Sequence, residues 1–88
     1  MEDNLHIIIV PPQPPPEYTP PYDPTISGSG SSLIYRYIQT YIYLWLNSAC
    51  GFWMYPVMVK NDYAIGYVWL NDHWIYAKIP LDAIDCFY

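Results

Sequence analysis

Two Asn-Asp pairs, at positions 61–62 and 71–72, constrain this chain more than any other feature of its sequence. Asn and Asp tolerate the left-handed backbone that a two-residue hairpin turn demands, and each pair separates runs of aromatic and β-branched residues. A turn at Asn71-Asp72 fixes a register: Leu70 opposes His73, Trp69 opposes Trp74, Val68 opposes Ile75, Tyr67 opposes Tyr76 and Gly66 opposes Ala77. The same reading of Asn61-Asp62 pairs Val59 with Ala64, Met58 with Ile65 and Val57 with Gly66. Both turns give one partition. An aliphatic side runs from Val57 and Val59 through Val68 to Ile75 and Ile79, and an aromatic side carries Tyr63, Tyr67, Trp69, Trp74 and Tyr76. Agreement between independent turns is what a real fold produces.

The segment before these hairpins alternates too. From Leu33 to Leu46 the even positions are mainly aliphatic (Ile34, Ile38, Ile42, Leu44, Leu46), and the odd ones mainly aromatic (Tyr35, Tyr37, Tyr41, Tyr43, Trp45). Period two predicts a strand over 33–46. The tail from Ile79 to Tyr88 reads as a strand end, a short turn at Pro80 and a last strand. The expected fold is mainly β: a small antiparallel meander or an SH3-like barrel, with an extended N-terminal arm.

That arm occupies residues 1–32 and holds eight of the ten prolines, leaving 33–88 as the aromatic-rich β-module. A unit of that size buries only about 60% of its unfolded surface, so it gains from further copies or cross-links. Leu5–Val10 is a β-branched run closed by Pro11, an isolated strand in search of a sheet. Its donor residues are Leu5, Ile7, Ile8, Ile9 and Val10. Residues 11–24 favour an extended polyproline spacer, and 26–32 (ISGSGSS) read as a flexible joint.

Composition removes several functions. Three basic residues against eight acidic ones, a net charge of −5, leave no cationic surface for nucleic acid or for an anionic membrane. The first ten residues lack the basic start and long apolar stretch of a secretory signal. The apolar run 41–59 is the one candidate for crossing a bilayer, but Asn47, Ser48, Pro56 and its many tyrosines suit a buried strand better. Cys50 and Cys86 fit one disulfide, within a subunit or between subunits, and equally two thiols. With His6 and His73 they match no zinc spacing, and no metal or cofactor is expected. No nucleophile, phosphate or metalloprotease motif occurs, so the chain reads as a non-enzyme.

An antiparallel sheet with an aliphatic and an aromatic face has no polar side to give to water. Tyr and Trp are enriched in protein interfaces, because they bury a large area and keep a polar handle. The aromatic set (Tyr35, Tyr37, Tyr41, Tyr43, Tyr63, Tyr67, Trp69, Trp74, Tyr76) is therefore the expected assembly face. The competing expectation is that the strand at 33–46 folds back and covers that face. The arm adds a motif: Pro15-Pro16-Glu17-Tyr18 matches Pro-Pro-x-Tyr, which WW domains bind, with Pro15, Pro16 and Tyr18 as contacts, and Pro11 to Pro14 satisfies Pro-x-x-Pro. Viral structural proteins carry such motifs in their arms. A tyrosine-studded spacer is the plainer reading.

Phe-Trp-Met-Tyr-Pro (52–56), Gly-Tyr-Val-Trp (66–69), Trp-Ile-Tyr (74–76) and Ile-Asp-Cys-Phe-Tyr (84–88) resemble small Tyr/Trp/Pro-rich proteins of spore-forming Firmicutes. The resemblance implies a bacterial source and a spore-surface or appendage setting, and no activity. The leading expectation is a structural subunit of a homomeric filament, fibre or surface layer. It packs through the aromatic face and donates Leu5–Val10 to a neighbouring sheet. The alternatives are an adaptor recruiting a WW- or SH3-type domain, and a small membrane-embedded protein.

Overall fold

A computed structural model describes residues 10–23 and 31–88. Five antiparallel strands form one open sheet: β1 (Ile42–Asn47), β2 (Cys50–Lys60), β3 (Tyr63–Leu70), β4 (His73–Pro80) and β5 (Cys86–Phe87). Their order is β4-β3-β2-β1-β5, a meander whose last strand returns beside the first. The ends do not meet, so the meander is realised and the barrel is not.

Both hairpins turn where the Asn-Asp pairs predict. Asn61, Asp62, Asn71 and Asp72 all have positive φ, from 53° to 66°, as a primed turn requires at both central positions. The β3–β4 ladder has the expected register from Leu70↔His73 to Gly66↔Ala77. In the β2–β3 ladder Val59↔Ala64 and Met58↔Ile65 hold, but Gly66 pairs with Pro56 rather than Val57. A bulge between Pro56 and Met58 causes the slip. Proline has no N–H to give the ladder, and one extra residue re-aims the strand beyond it. Gly66 is required there: a Cβ would collide with the Tyr55 carbonyl oxygen and come 2.7 Å from Pro56 Cα.

The predicted strand over 33–46 forms only in its second half. Ser31–Tyr37 is a 3-10 helix, and Gln39, at φ 61°, turns the chain into β1. The Gln39 N–H donates to the Pro56 carbonyl at 2.7 Å, using an acceptor at the bulge. Asn47 ends β1, its side-chain oxygen accepting from the Ala49 N–H at 2.8 Å. The apolar run at 41–59 is thus a hairpin. Among the described residues no helix is long and apolar enough to cross a membrane.

The aliphatic face is the core. Ile42, Leu44, Met54, Ala64 and Val68 are buried together with Ile34, from the 3-10 helix, and Ile84, which follows the 3-10 turn Leu81–Ala83. These two short helices are the lid on that face. The Leu81 N–H donates to the Asp62 carbonyl at 2.9 Å, tying the turn after β4 to the first hairpin. β5 is fastened to β1 by reciprocal bonds between Tyr43 and Tyr88, at 3.2 and 2.9 Å.

Candidate functional site

The opposite face is a continuous surface of rings. Cross-strand pairing sets Tyr43 beside Trp53, Tyr67 beside Tyr76 and Trp69 beside Trp74, with centroids 5.2, 5.5 and 5.0 Å apart and the rings edge to face. Such pairs contribute roughly 0.5–1.5 kcal/mol each beyond their burial. Tyr41 reaches across to stack on Trp74, 6.0 Å between centroids, while Tyr55 touches both. Gly51 makes room for this: a Cβ would lie 2.6 Å from Tyr43 Cε2 and 2.8 Å from Trp45 Cε3.

The segment at 33–46 does not fold back across these rings, although Tyr41 reaches onto Trp74. β1 extends the sheet instead of folding across it, and the cover is the proline-rich arm. Described residues 10–23 traverse the face without entering any strand pairing. At one end the Trp74 indole N–H donates to the Gln13 carbonyl at 3.3 Å, and the Tyr41 hydroxyl donates to the same oxygen at 2.9 Å. The Gln13 N–H donates back to that hydroxyl at 3.2 Å. In the middle the Trp53 indole N–H donates to the Tyr18 carbonyl at 3.0 Å, and the two rings meet edge to face at 5.9 Å. At the far end the Tyr22 ring stands on Trp45 at 5.4 Å, and its hydroxyl donates to Asp85 Oδ2 at 2.6 Å.

This is the chemistry by which aromatic grooves hold proline-rich peptides: ring N–H and O–H donors take backbone carbonyls that proline leaves unbonded, and prolines fill gaps between rings. Pro15 and Pro20 are the buried ones, Pro20 completely. Pro16 and Tyr18 are exposed, Tyr18 by 57%. A cavity of about 320 Å³ remains between Pro14–Thr19 and the side chains of Trp53, Trp69 and Asp72.

One seat is incomplete. Among the described residues the buried Trp45 Nε1 has no hydrogen-bond acceptor, although its ring supports Tyr22. Beside it Cys86 is buried, and desolvation first, then the nearby carboxylates of Asp85 and Asp23, push its thiol pKa up. Cys50 is exposed, and both thiols are free. They sit on β2 and β5 with β1 between, about 9–10 Å across two strand spacings, too far for a disulfide within the chain.

The structure brings Tyr41, Tyr43, Tyr67, Trp69, Trp74 and Tyr76 onto the expected face, and Tyr63 onto its lower end with the Lys78 ammonium 5.7 Å from its ring centroid. Tyr35 and Tyr37 are elsewhere: they are exposed on the 3-10 helix, and Tyr37 packs on Phe87 at 5.3 Å. Trp45, Trp53 and Tyr55 join the face, although they lie outside the expected assembly set. Trp45 shares the parity of Tyr43 on β1, and Trp53 and Tyr55 take it up after the turn at Asn47, which is the signal that finds them. Of the expected donor strand, Leu5, Ile7, Ile8 and Ile9 lie outside the described residues, and Val10 is exposed. His73 is exposed at its turn, with Nδ1 2.9 Å from the Asn71 carbonyl. Among the described residues no three His, Cys, Asp or Glu side chains gather as a metal site requires.

No family model matches the chain, and comparison with the curated proteins and with the solved structures finds no match.

Proposed function

We propose that the chain is a non-catalytic structural subunit that assembles with copies of itself, the proline-rich arm of one copy seated on the aromatic face of the next. The observation that carries this reading is how the arm is attached. It is held by ring donors, ring edges and a tyrosine–carboxylate bond, and by no backbone ladder. Receptor and ligand are therefore separable parts, joined only through residues 24–30. A neighbour's arm makes the same bonds in the same groove, so exchange costs no contact, and local concentration decides between the closed and the exchanged form. Two apolar faces, one already filled by the chain's own helices and one by an arm, fit a fibre or a surface layer.

Light scattering tests this on the full chain and on a Pro15→Ala, Tyr18→Ala, Tyr22→Ala variant. The mass of the full chain rises with concentration, and the variant stays a single chain. A full chain that remains monomeric at every concentration overturns the reading. The Pro-Pro-x-Tyr alternative has a further requirement, because a WW domain has to lift Pro15 out of its burial before it can read the motif.

A further inference from the structure

We infer that the edge of β4 pairs with the same edge of a second copy, antiparallel across a two-fold axis at Tyr76, so that two aromatic faces become one. Among the described residues the sheet ends in strands of unequal length: β5 has two residues and β4 has eight. A long unpaired edge is a standing template for another strand.

The direction of the backbone groups fixes what that template accepts. A two-residue loop closes on a hydrogen-bonded pair, here Leu70 and His73, and such pairs recur at every second residue. The Leu81 N–H, which donates to the Asp62 carbonyl at 2.9 Å, keeps the same count just beyond the strand. The odd-numbered residues of β4 therefore bond to β3. Trp74, Tyr76 and Lys78 aim N–H and C=O outward, and Pro80, next in that series, has no N–H to aim. Across a two-fold axis each outward residue has to meet an outward residue. Centring the axis on Tyr76 sets that residue against its own copy and Trp74 against Lys78 on either side, each pair exchanging two bonds. Moving the centre to Ala77 sets Trp74 against Pro80, and moving it to Ile75 sets Lys78 against Asp72 in its left-handed turn. The Tyr76 register is the one that pairs all three outward donors with one another.

The side chains agree with it. The axis stands perpendicular to the sheet, so both aromatic faces lie on the same side. Tyr76, 58% exposed, meets its own copy there, and Ile75, 37% exposed, meets Ala77 on the aliphatic side. Lys60 and Lys78 balance Asp62 and Asp82 at the Pro80 end, while Asp72 is the carboxylate at the other end, with His73 beside it. Pairing brings Asp72 of one copy diagonal to Lys78 of the other. Asp62 sits one strand further in, and Asp82 belongs to the 3-10 turn after β4. Charge thus fits the pairing without driving it.

One edge-to-edge contact is small for a protein interface, so the pairing rests on the arm exchange proposed above, which holds copies at high local concentration. Residue-resolved amide exchange on the full chain, dilute and assembled, tests it. The Trp74, Tyr76 and Lys78 amides should exchange about tenfold slower in the assembled chain than in single chains, while Ile75, Ala77 and Ile79 stay protected in both. A second measurement gives direction. A nitroxide on His73→Cys, in a Cys50→Ser background, is mixed with isotope-labelled full chain and should broaden the partner's Ile79 amide while sparing its Trp74 amide. Outward amides that stay fast in an assembled chain overturn the inference and leave the arm exchange standing. Outward amides already slow in single chains overturn it too, because the edge is then filled within one copy, and so does broadening at the partner's Trp74. A chain that never assembles removes the arm exchange and the edge pairing together.

Discussion

Trp53 and Tyr18 meet twice: the indole N–H donates to the Tyr18 carbonyl at 3.0 Å, and the two rings stand edge to face with centroids 5.9 Å apart. One contact reads the backbone of the arm, the other its side chain. Both come from a tryptophan that the turn at Asn47 places opposite Tyr43 in the register of β1 and β2. The sheet thus builds the groove, and its pairing sets the spacing of the donors.

Trp53→Phe keeps the ring and removes the donor. The Tyr18 carbonyl then returns to water, and the arm loses about 1 kcal/mol of its hold. Chymotrypsin cleavage after Tyr18 and Tyr22 should rise several-fold, with little change in the circular dichroism of the sheet.

Gly51→Ala places a methyl against the Tyr43 and Trp45 rings, and Gly66→Ala places one against backbone at the bulge. Rings can shift and backbone cannot. The first variant should lose about 1–2 kcal/mol and the second about 3 kcal/mol or more in urea unfolding, as overpacked sites do. Gly51→Ala should also disturb Tyr22, whose ring stands on Trp45.

Asp62→Gly should stabilise the fold by about 0.5–1 kcal/mol, read as a higher urea midpoint. Asp62 is held at φ 66°, and glycine adopts that geometry without a Cβ penalty.

Cys86 supplies a pH dependence. Its thiol pKa is raised in the folded chain, so the folded state holds that proton more tightly than the unfolded one. The stabilisation is complete below the ordinary thiol value of about 8.5 and is lost as pH rises through the folded value. Cys86→Ala should flatten the alkaline fall in stability. In the native protein a thiol reagent should modify Cys50 well before Cys86.

The hairpins were legible because Asn-Asp turns and period-two alternation act locally, and Leu70↔His73 through Gly66↔Ala77 follows from them directly. The slip at Pro56 was not, since the sequence allows either neighbour to face Gly66 and the missing N–H decides only once strands pair. Leu33–Tyr37 carries the alternation of a strand and forms a 3-10 helix, because the aliphatic face needs Ile34 as a cover more than the sheet needs another strand. In the sequence the arm reads as a spacer for the same kind of reason. Its prolines state that it is extended, but nothing local states that Trp74, Trp53 and Tyr41 will present donors to Gln13 and Tyr18.

The central claim is that one copy's arm fills another's groove. An equal mixture of isotope-labelled and unlabelled full chain, examined by isotope-filtered NOE spectroscopy under assembling conditions, tests it most directly. The account predicts cross-peaks between Tyr18 ring protons of one copy and the Trp53 indole of another. Contacts found only within single copies would contradict it.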